Sequence, residues 1–309
     1  MNTQPITPAL LAGSVIAVPP MARHDDLSIH REANAQIIRH LESGGVRTLL
    51  YGGNAVFYHI ALAEFAATLS LLRESAGADT TIVPSVGPAY GTMMDQAAVL
   101  RDFDFPTVMV LPARDIATPD GAAEGIRRFA KALGKPVVVY IKFEGYLDVP
   151  HVRALMDEGW VSWIKYAIVR NDPAKDDYLR ALVQAVDPRL IVSGIGEQPA
   201  VIHLRDFGVQ GFTSGCVCVA PRLSMDMLRA LKSGDIQTAE SIRAVFKPLE
   251  DLRNQINPIR VLHEAMALAG IAQTGPLLPL LSPVPAAHRS AIAEAAKELL
   301  QHNTLATAN

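Results

Sequence analysis

A lysine interrupts the apolar run Val161-Ser162-Trp163-Ile164-Lys165-Tyr166-Ala167-Ile168-Val169, which reads as a buried strand. Two readings are open. The stem of Lys165 can pack on its neighbours while the amine snorkels to a rim. Alternatively the amine is held from water with no acid near it in sequence. Desolvation then lowers its pKa, and a neutral amine attacks a carbonyl to form a Schiff base. Tyr140 closes a second run, Val137-Val138-Val139-Tyr140. Its phenol is either a wall aromatic or a carrier of protons. Gly52-Gly53-Asn54 follows a third run. Two glycines allow close backbone approach and point N–H groups at an anion such as a carboxylate. The alternative is a plain tight turn. Ser193 and Thr213 end two further runs, where a hydroxyl either lines a pocket or bonds its own loop.

These residues share one context. Short β-branched runs at 14–18, 46–51, 81–84, 107–111, 136–141, 161–168, 190–193 and 211–213 alternate with helical patterns such as 60–73, 93–103, 122–133 and 177–186. Most runs are continuously apolar, as expected of parallel strands covered on both faces. Eight strands, each followed by a helix, predict a (β/α)8 TIM barrel, an α/β fold whose active-site face lies at the C-terminal strand ends. Lys165 and Tyr140 fall at such ends on neighbouring strands. Gly44-Gly45, Gly134, Asp187-Pro188 and Gly208 punctuate the helices. Beyond Lys232 the alternation stops. Stretches 233–253, 258–269 and 285–301 read as helices without strands between them. The expected division is a barrel over 1–232 and a C-terminal helical extension over 233–309, with the tail TLATAN fraying.

Composition narrows the function classes. The chain has 309 residues, half of them hydrophobic, with 19% charged and a formal net charge of −3, which gives no attraction for nucleic acid or an anionic membrane. A mean hydropathy of +0.19 points to a homo-oligomer burying extra surface. Cys216 and Cys218 stand too close for an ordinary disulfide, so a reduced, cytoplasmic protein is expected. MNTQPITPALLAG has no basic segment of a secretory signal. No apolar run approaches the ~20 residues of a membrane span. His263-Glu264 lacks the second histidine of a zinc-hydrolase motif, because residue 267 is alanine. Gly194-Ile195-Gly196 lacks the third glycine of a dinucleotide fingerprint. No metal and no cofactor are expected.

With these residues in place, the chain resembles the family of dihydrodipicolinate synthase and N-acetylneuraminate lyase, class I Schiff-base aldolases. The resemblance runs from about Gly13 to Pro283. Its carriers are Trp163-Ile164-Lys165-Tyr166-Ala167 and Tyr140. Val192-Ser193-Gly194, Gly211-Phe212-Thr213-Ser214, Val219-Ala220-Pro221 and Asn257-Pro258-Ile259 support them. It implies that Lys165 forms an imine with pyruvate or a larger 2-keto acid, and that Tyr140 is the general acid/base. It also implies that backbone around Gly53 and Asn54 holds the keto-acid carboxylate, and that the assembly is a tetramer or dimer.

The chain also departs from that pattern. Gly52-Gly53-Asn54-Ala55-Val56 replaces the family's Gly-Thr-Thr-Gly-Glu loop, so both threonine hydroxyls are gone and Asn54 offers one polar replacement. Leu111-Pro112-Ala113-Arg114-Asp115 has no second tyrosine. Ile141-Lys142-Phe143-Glu144-Gly145 has no arginine for aspartate semialdehyde. These differences point to another 2-keto acid aldolase or dehydratase, with a substrate of sugar-acid origin. Arg114, Lys142 and Arg170 are candidates for a second anionic or hydroxylated end of the substrate. A keto-acid-binding barrel without turnover is the competing reading.

Overall fold

The computed structural model describes residues 1–305; residues 306–309, which include most of the TLATAN tail, lie outside them. Eight parallel strands close into a barrel in sequence order: β1 (Ile16–Ala17), β2 (Thr48–Tyr51), β3 (Thr81–Val86), β4 (Met109–Val110), β5 (Val137–Ile141), β6 (Val161–Tyr166), β7 (Ile191–Ser193) and β8 (Gly211–Ser214). Ile16 pairs with both Thr48 and Thr213, and so closes the ring. Nearly every strand residue is buried, as the continuous apolar runs require. β1 and β4 are only two residues long, shorter than the runs that predict them. Their flanking residues are equally buried but leave the ladder.

Helices follow each strand: α2 (Arg31–Ser43), α3 (Leu62–Ser75), α4 (Tyr90–Leu100), α5 (Pro119–Leu133), α6 (Val149–Asp157), α7 (Asp177–Ala185), α8 (Glu197–Phe207) and α9 (Pro221–Ser233). A short α1 (Pro8–Gly13) precedes β1. Side-chain caps start several of them. The Thr118 hydroxyl accepts from Gly121 N at 3.2 Å, and Asp176 accepts from Leu179 N at 3.0 Å. Gly134 ends α5 at φ +78°, a left-handed turn that a side chain would strain.

The extension comprises α10 (Ile236–Gln255), α11 (Pro258–Leu268) and α12 (Ala286–Leu305). α10 packs on α8 and α9, while α11 and α12 pack on α10. Asn303 ties α12 back to the start of α9 by accepting from Arg222 N at 2.9 Å. The buried face of α10 carries Phe246, Leu249, Glu250 and Arg253, so two charged groups are pressed toward the barrel with the apolar ones. Among the described residues, no helix is long and apolar enough to cross a membrane.

Candidate active site

Register brings the two leading residues together. Tyr140 and Lys165 are direct partners across β5 and β6, and parallel partners point to the same side. Lys165 Nζ lies 4.5 Å from the centroid of the Tyr140 ring. Both line a cavity of about 370 Å³ at the C-terminal mouth of the barrel. Lys165 is only 6% exposed, so it does not snorkel. Among the described residues no carboxylate pairs with it. Burial, with help from Lys142 and Arg253, lowers its pKa to about 7. A large share of the amine is therefore neutral and nucleophilic at physiological pH. Burial pushes the Tyr140 phenol up, so it stays protonated. Its hydroxyl has no hydrogen-bond partner among the described residues, and the phenol is free to donate into the cavity.

The loop after β2 forms the far wall. Gly53 and Asn54 line the cavity. Asn54 Nδ2 donates to Val18 O at 2.8 Å, so the amide ties the β1 and β2 loops together. Gly52 differs from the expectation. It lies outside the lining, and a Cβ there would meet Met109 Cε at 2.7 Å. Its role is to let β2 and β4 pack. Thr213 lines the cavity; its hydroxyl is buried without a hydrogen-bond partner.

Ser193 is a correction. Its hydroxyl sits 2.9 Å from His203 Nδ1 of α8 and does not reach the cavity. Ser193 pairs with Tyr166, the outward neighbour of Lys165, so parity turns it to the helix layer. Arg170 is also placed elsewhere than expected. Its Nη2 bonds Glu144 at 2.5 Å and Asp176 at 3.1 Å. Arg114 stacks over Phe143 at 4.2 Å. Lys142 does line the cavity, with Nζ 5.9 Å from the Tyr140 ring centroid and 5.8 Å from that of Tyr58.

Two contributors escaped the sequence reading. Tyr58, beyond the β2 loop, has its phenol pushed up to about 12 by burial. Arg253 reaches the cavity from α10. Its signal was available, since it follows Phe246 and Leu249 at helical spacing on the apolar stripe. The structure also brings ring nitrogens of His24 and His30 and an oxygen of Glu32 within 4.8 Å of one another, which the histidine spacing did not suggest. This cluster is on the surface, and His30 Nδ1 already accepts from Ala33 N as a helix cap. His263 bonds Gly275 O at 2.8 Å, and both cysteines are buried and free.

The sequence profile of the dihydrodipicolinate synthetase family matches residues 12–299, from before β1 into α12. The chain belongs to that family. Among similar proteins is a "Probable 5-dehydro-4-deoxyglucarate dehydratase 2" of Streptomyces coelicolor, 24% identical over 284 residues, covering 89% of this chain and 86% of that one. A "4-hydroxy-tetrahydrodipicolinate synthase" of Laribacter hongkongensis is 25% identical over 281 residues, covering 88% and 93%. The dihydrodipicolinate synthase of Oceanobacillus iheyensis superposes with a TM-score of 0.83 at 24% identity over 96% of this chain and 98% of that one. A Ruminococcus gnavus sialic acid aldolase does so at 0.82 and 14%, over 95% and 99%. These two superpositions establish the (β/α)8 fold. With the family match and its dehydratase and synthase relatives, this family member is an enzyme of the lyase class.

Proposed function

We propose that the chain is a class I lyase that binds a 2-keto acid as an imine on Lys165. The observation that carries the reading is the pairing of a buried, unpartnered amine with a protonated phenol across β5 and β6. The neutral amine attacks the keto carbon, and the carbinolamine loses water to give a protonated imine. That imine withdraws electrons from the adjacent carbon, which then gives up a proton. Tyr140, left as a phenolate after protonating the departing carbinolamine hydroxyl, takes the proton from the adjacent carbon and passes it to the departing β-hydroxyl, which leaves as water. In the alternative, C–C cleavage, the phenolate takes the proton of the β-hydroxyl as that carbon becomes a carbonyl. Gly53 and Asn54 line the far wall, where backbone N–H groups can receive the keto-acid carboxylate.

Dehydration is the preferred outcome, because relatives named as 5-dehydro-4-deoxyglucarate dehydratases match over most of the chain. The test is pyruvate with borohydride, followed by mass analysis of the intact chain and its peptides. One reduced pyruvyl group on Lys165 is expected; an adduct elsewhere, or none, defeats the proposal. A binding barrel without turnover is favoured by one observation. The β2 loop has no hydroxyl at residues 52–56, and the Asn54 amide is already engaged by Val18. Adduct formation without turnover on any of a panel of hydroxylated 2-keto acids would select it.

A further inference from the structure

Among the described residues the cavity around Lys165 carries three basic side chains, Lys142, Lys165 and Arg253, and no aspartate or glutamate lines it. An imine on Lys165 and one keto-acid carboxylate leave the other two unanswered. Arg253 is the more demanding, being 8% exposed. Its Nε donates to Pro258 O at 3.2 Å and its Nη1 approaches Cys216 Sγ at 3.8 Å. Nη2 makes no hydrogen bond among the described residues. Glu197 accepts from Ser214 and Ser224, Glu250 accepts from Glu197 N, and among the described residues neither forms an ion pair with Arg253. Burial pushes both carboxyls up, and Glu197 raises Glu250 further. Burial acts to lower the Arg253 pKa, while Glu250 and Glu197 still raise it at a distance. A buried guanidinium without a close counter-charge is costly.

The wall beside it is shaped for this side chain. A Cβ on Gly215 would meet Nη2 at 2.5 Å and Cζ at 2.6 Å, so only glycine lets the guanidinium lie there. Two residues earlier, Thr213 lines the same cavity and its hydroxyl is buried and unpartnered. A planar guanidinium with a hydroxyl on the same wall suits a carboxylate. We propose that Arg253, with Thr213, receives the second carboxylate of a 2-keto diacid and so makes the site selective for dicarboxylic substrates. This rests on the imine reading above.

Borohydride trapping at Lys165 tests it, with pyruvate against 2-oxoglutarate and 2-oxoadipate. In the native chain, half-maximal trapping needs ~10–100-fold less of the better diacid than of pyruvate, the worth of a charge-assisted hydrogen bond. Arg253→Gln brings that ratio to within about 2-fold, and Arg253→Lys retains part of it. Gly215→Ala, at a helical φ of −85° that alanine accepts, displaces the guanidinium and gives the same collapse without removing a charge. It serves as the second variant if Arg253→Gln fails to fold. A native chain without diacid preference overturns the proposal. So does a ratio that survives in Arg253→Gln and Gly215→Ala, or an equal loss for pyruvate and diacids. If no keto acid is trapped at all, the imine reading fails on its own. Calorimetry with glutarate, which needs no imine, then decides: binding lost in Arg253→Gln supports the carboxylate site, and absence of binding to the native chain overturns it.

Discussion

The two faces of β6 handle charge in opposite ways. Lys165 points into the barrel and Tyr166, the next residue, points to the helices; both are buried. On the outer face each charge has a partner. The Tyr166 hydroxyl donates to Asp176, Arg170 Nη2 bonds both Asp176 and Glu144, and Asp176 also caps α7 through Leu179 N. Burial alone would raise the Asp176 carboxyl. The hydrogen bonds from Arg170, Tyr166 and Leu179 outweigh it and hold the group low. On the inner face, Lys165 lies over an aromatic ring and near two like charges, with no carboxylate partner among the described residues. Partnered charge holds the loop after β6 to its helix, whereas the charge on the inner face lines an open cavity.

Exchanging Lys165 tests the inner face most severely. Lys165→Ala is expected to lower turnover by at least ~10⁴-fold, because no other amine is in register with Tyr140. Steady-state assay and borohydride trapping read this directly, and retained trapping at another lysine would break the comparison. Stability should move the other way. The folded pKa of about 7 lies below the unfolded value, so the unfolded chain binds more protons between the two. The penalty is full below pH 7 and fades as pH rises toward the unfolded value. Lys165→Met is therefore expected to stabilise the fold at pH 7 by roughly 1–2 kcal/mol, with a smaller gain at pH 9, by urea unfolding at both pH values. Tyr140→Phe keeps the ring under the amine and removes only the proton source. A loss of ~10²–10⁴-fold in turnover is expected, and an unchanged rate would move the acid elsewhere.

The outer face predicts the reverse pattern. Asp176→Asn leaves Arg170 without its buried partner and weakens the start of α7. A stability loss of about 3 kcal/mol is expected, while trapping of pyruvate at Lys165 persists in the folded fraction. Thermal unfolding and trapping on one preparation settle it. If trapping fails while the fold holds, the faces are coupled and the distinction drawn here is too sharp.

Much of this was legible before any coordinates. Continuous apolar runs gave away the parallel barrel, and the Lys165 interruption marked a position that lines the cavity. Ser193 was misplaced for a definable reason. On a three-residue strand, hydrophobic alternation cannot show which side a hydroxyl faces. Its pairing with Tyr166 decides, and that register is a long-range fact. Arg170 was misplaced because its partners Glu144 and Asp176 come from two different loops. Arg253 belongs to a helix whose path across the barrel mouth depends on how the extension packs. Its place on the apolar stripe of α10 was visible, but not what that stripe covers. Gly52 and Gly53 looked alike as a pair, yet β4 packing claims the first and the cavity the second.

The smallest expected effect probes why the inner face tunes rather than merely buries its amine. Lys142 is the like charge that most lowers the Lys165 pKa after burial itself, ahead of Arg253. Removing a neighbouring cation favours the protonated form, so Lys142→Met should raise the Lys165 pKa. The rate of imine formation follows the neutral amine. In the native chain it should climb about tenfold per unit below pH 7 and level off above, because each unit changes the neutral fraction by that factor. In Lys142→Met the same curve should keep its shape while its midpoint moves up by up to about one unit. Initial trapping rates with pyruvate from about pH 5.5 to about pH 9 resolve such a displacement. A midpoint that stays in place would mean that burial alone sets the amine. A midpoint that falls would mean that Lys142 is itself neutral at pH 7 and acts on Lys165 through packing. Burial and Arg114 do lower the Lys142 pKa. A small upward displacement therefore agrees with a partly charged Lys142 better than a full unit would.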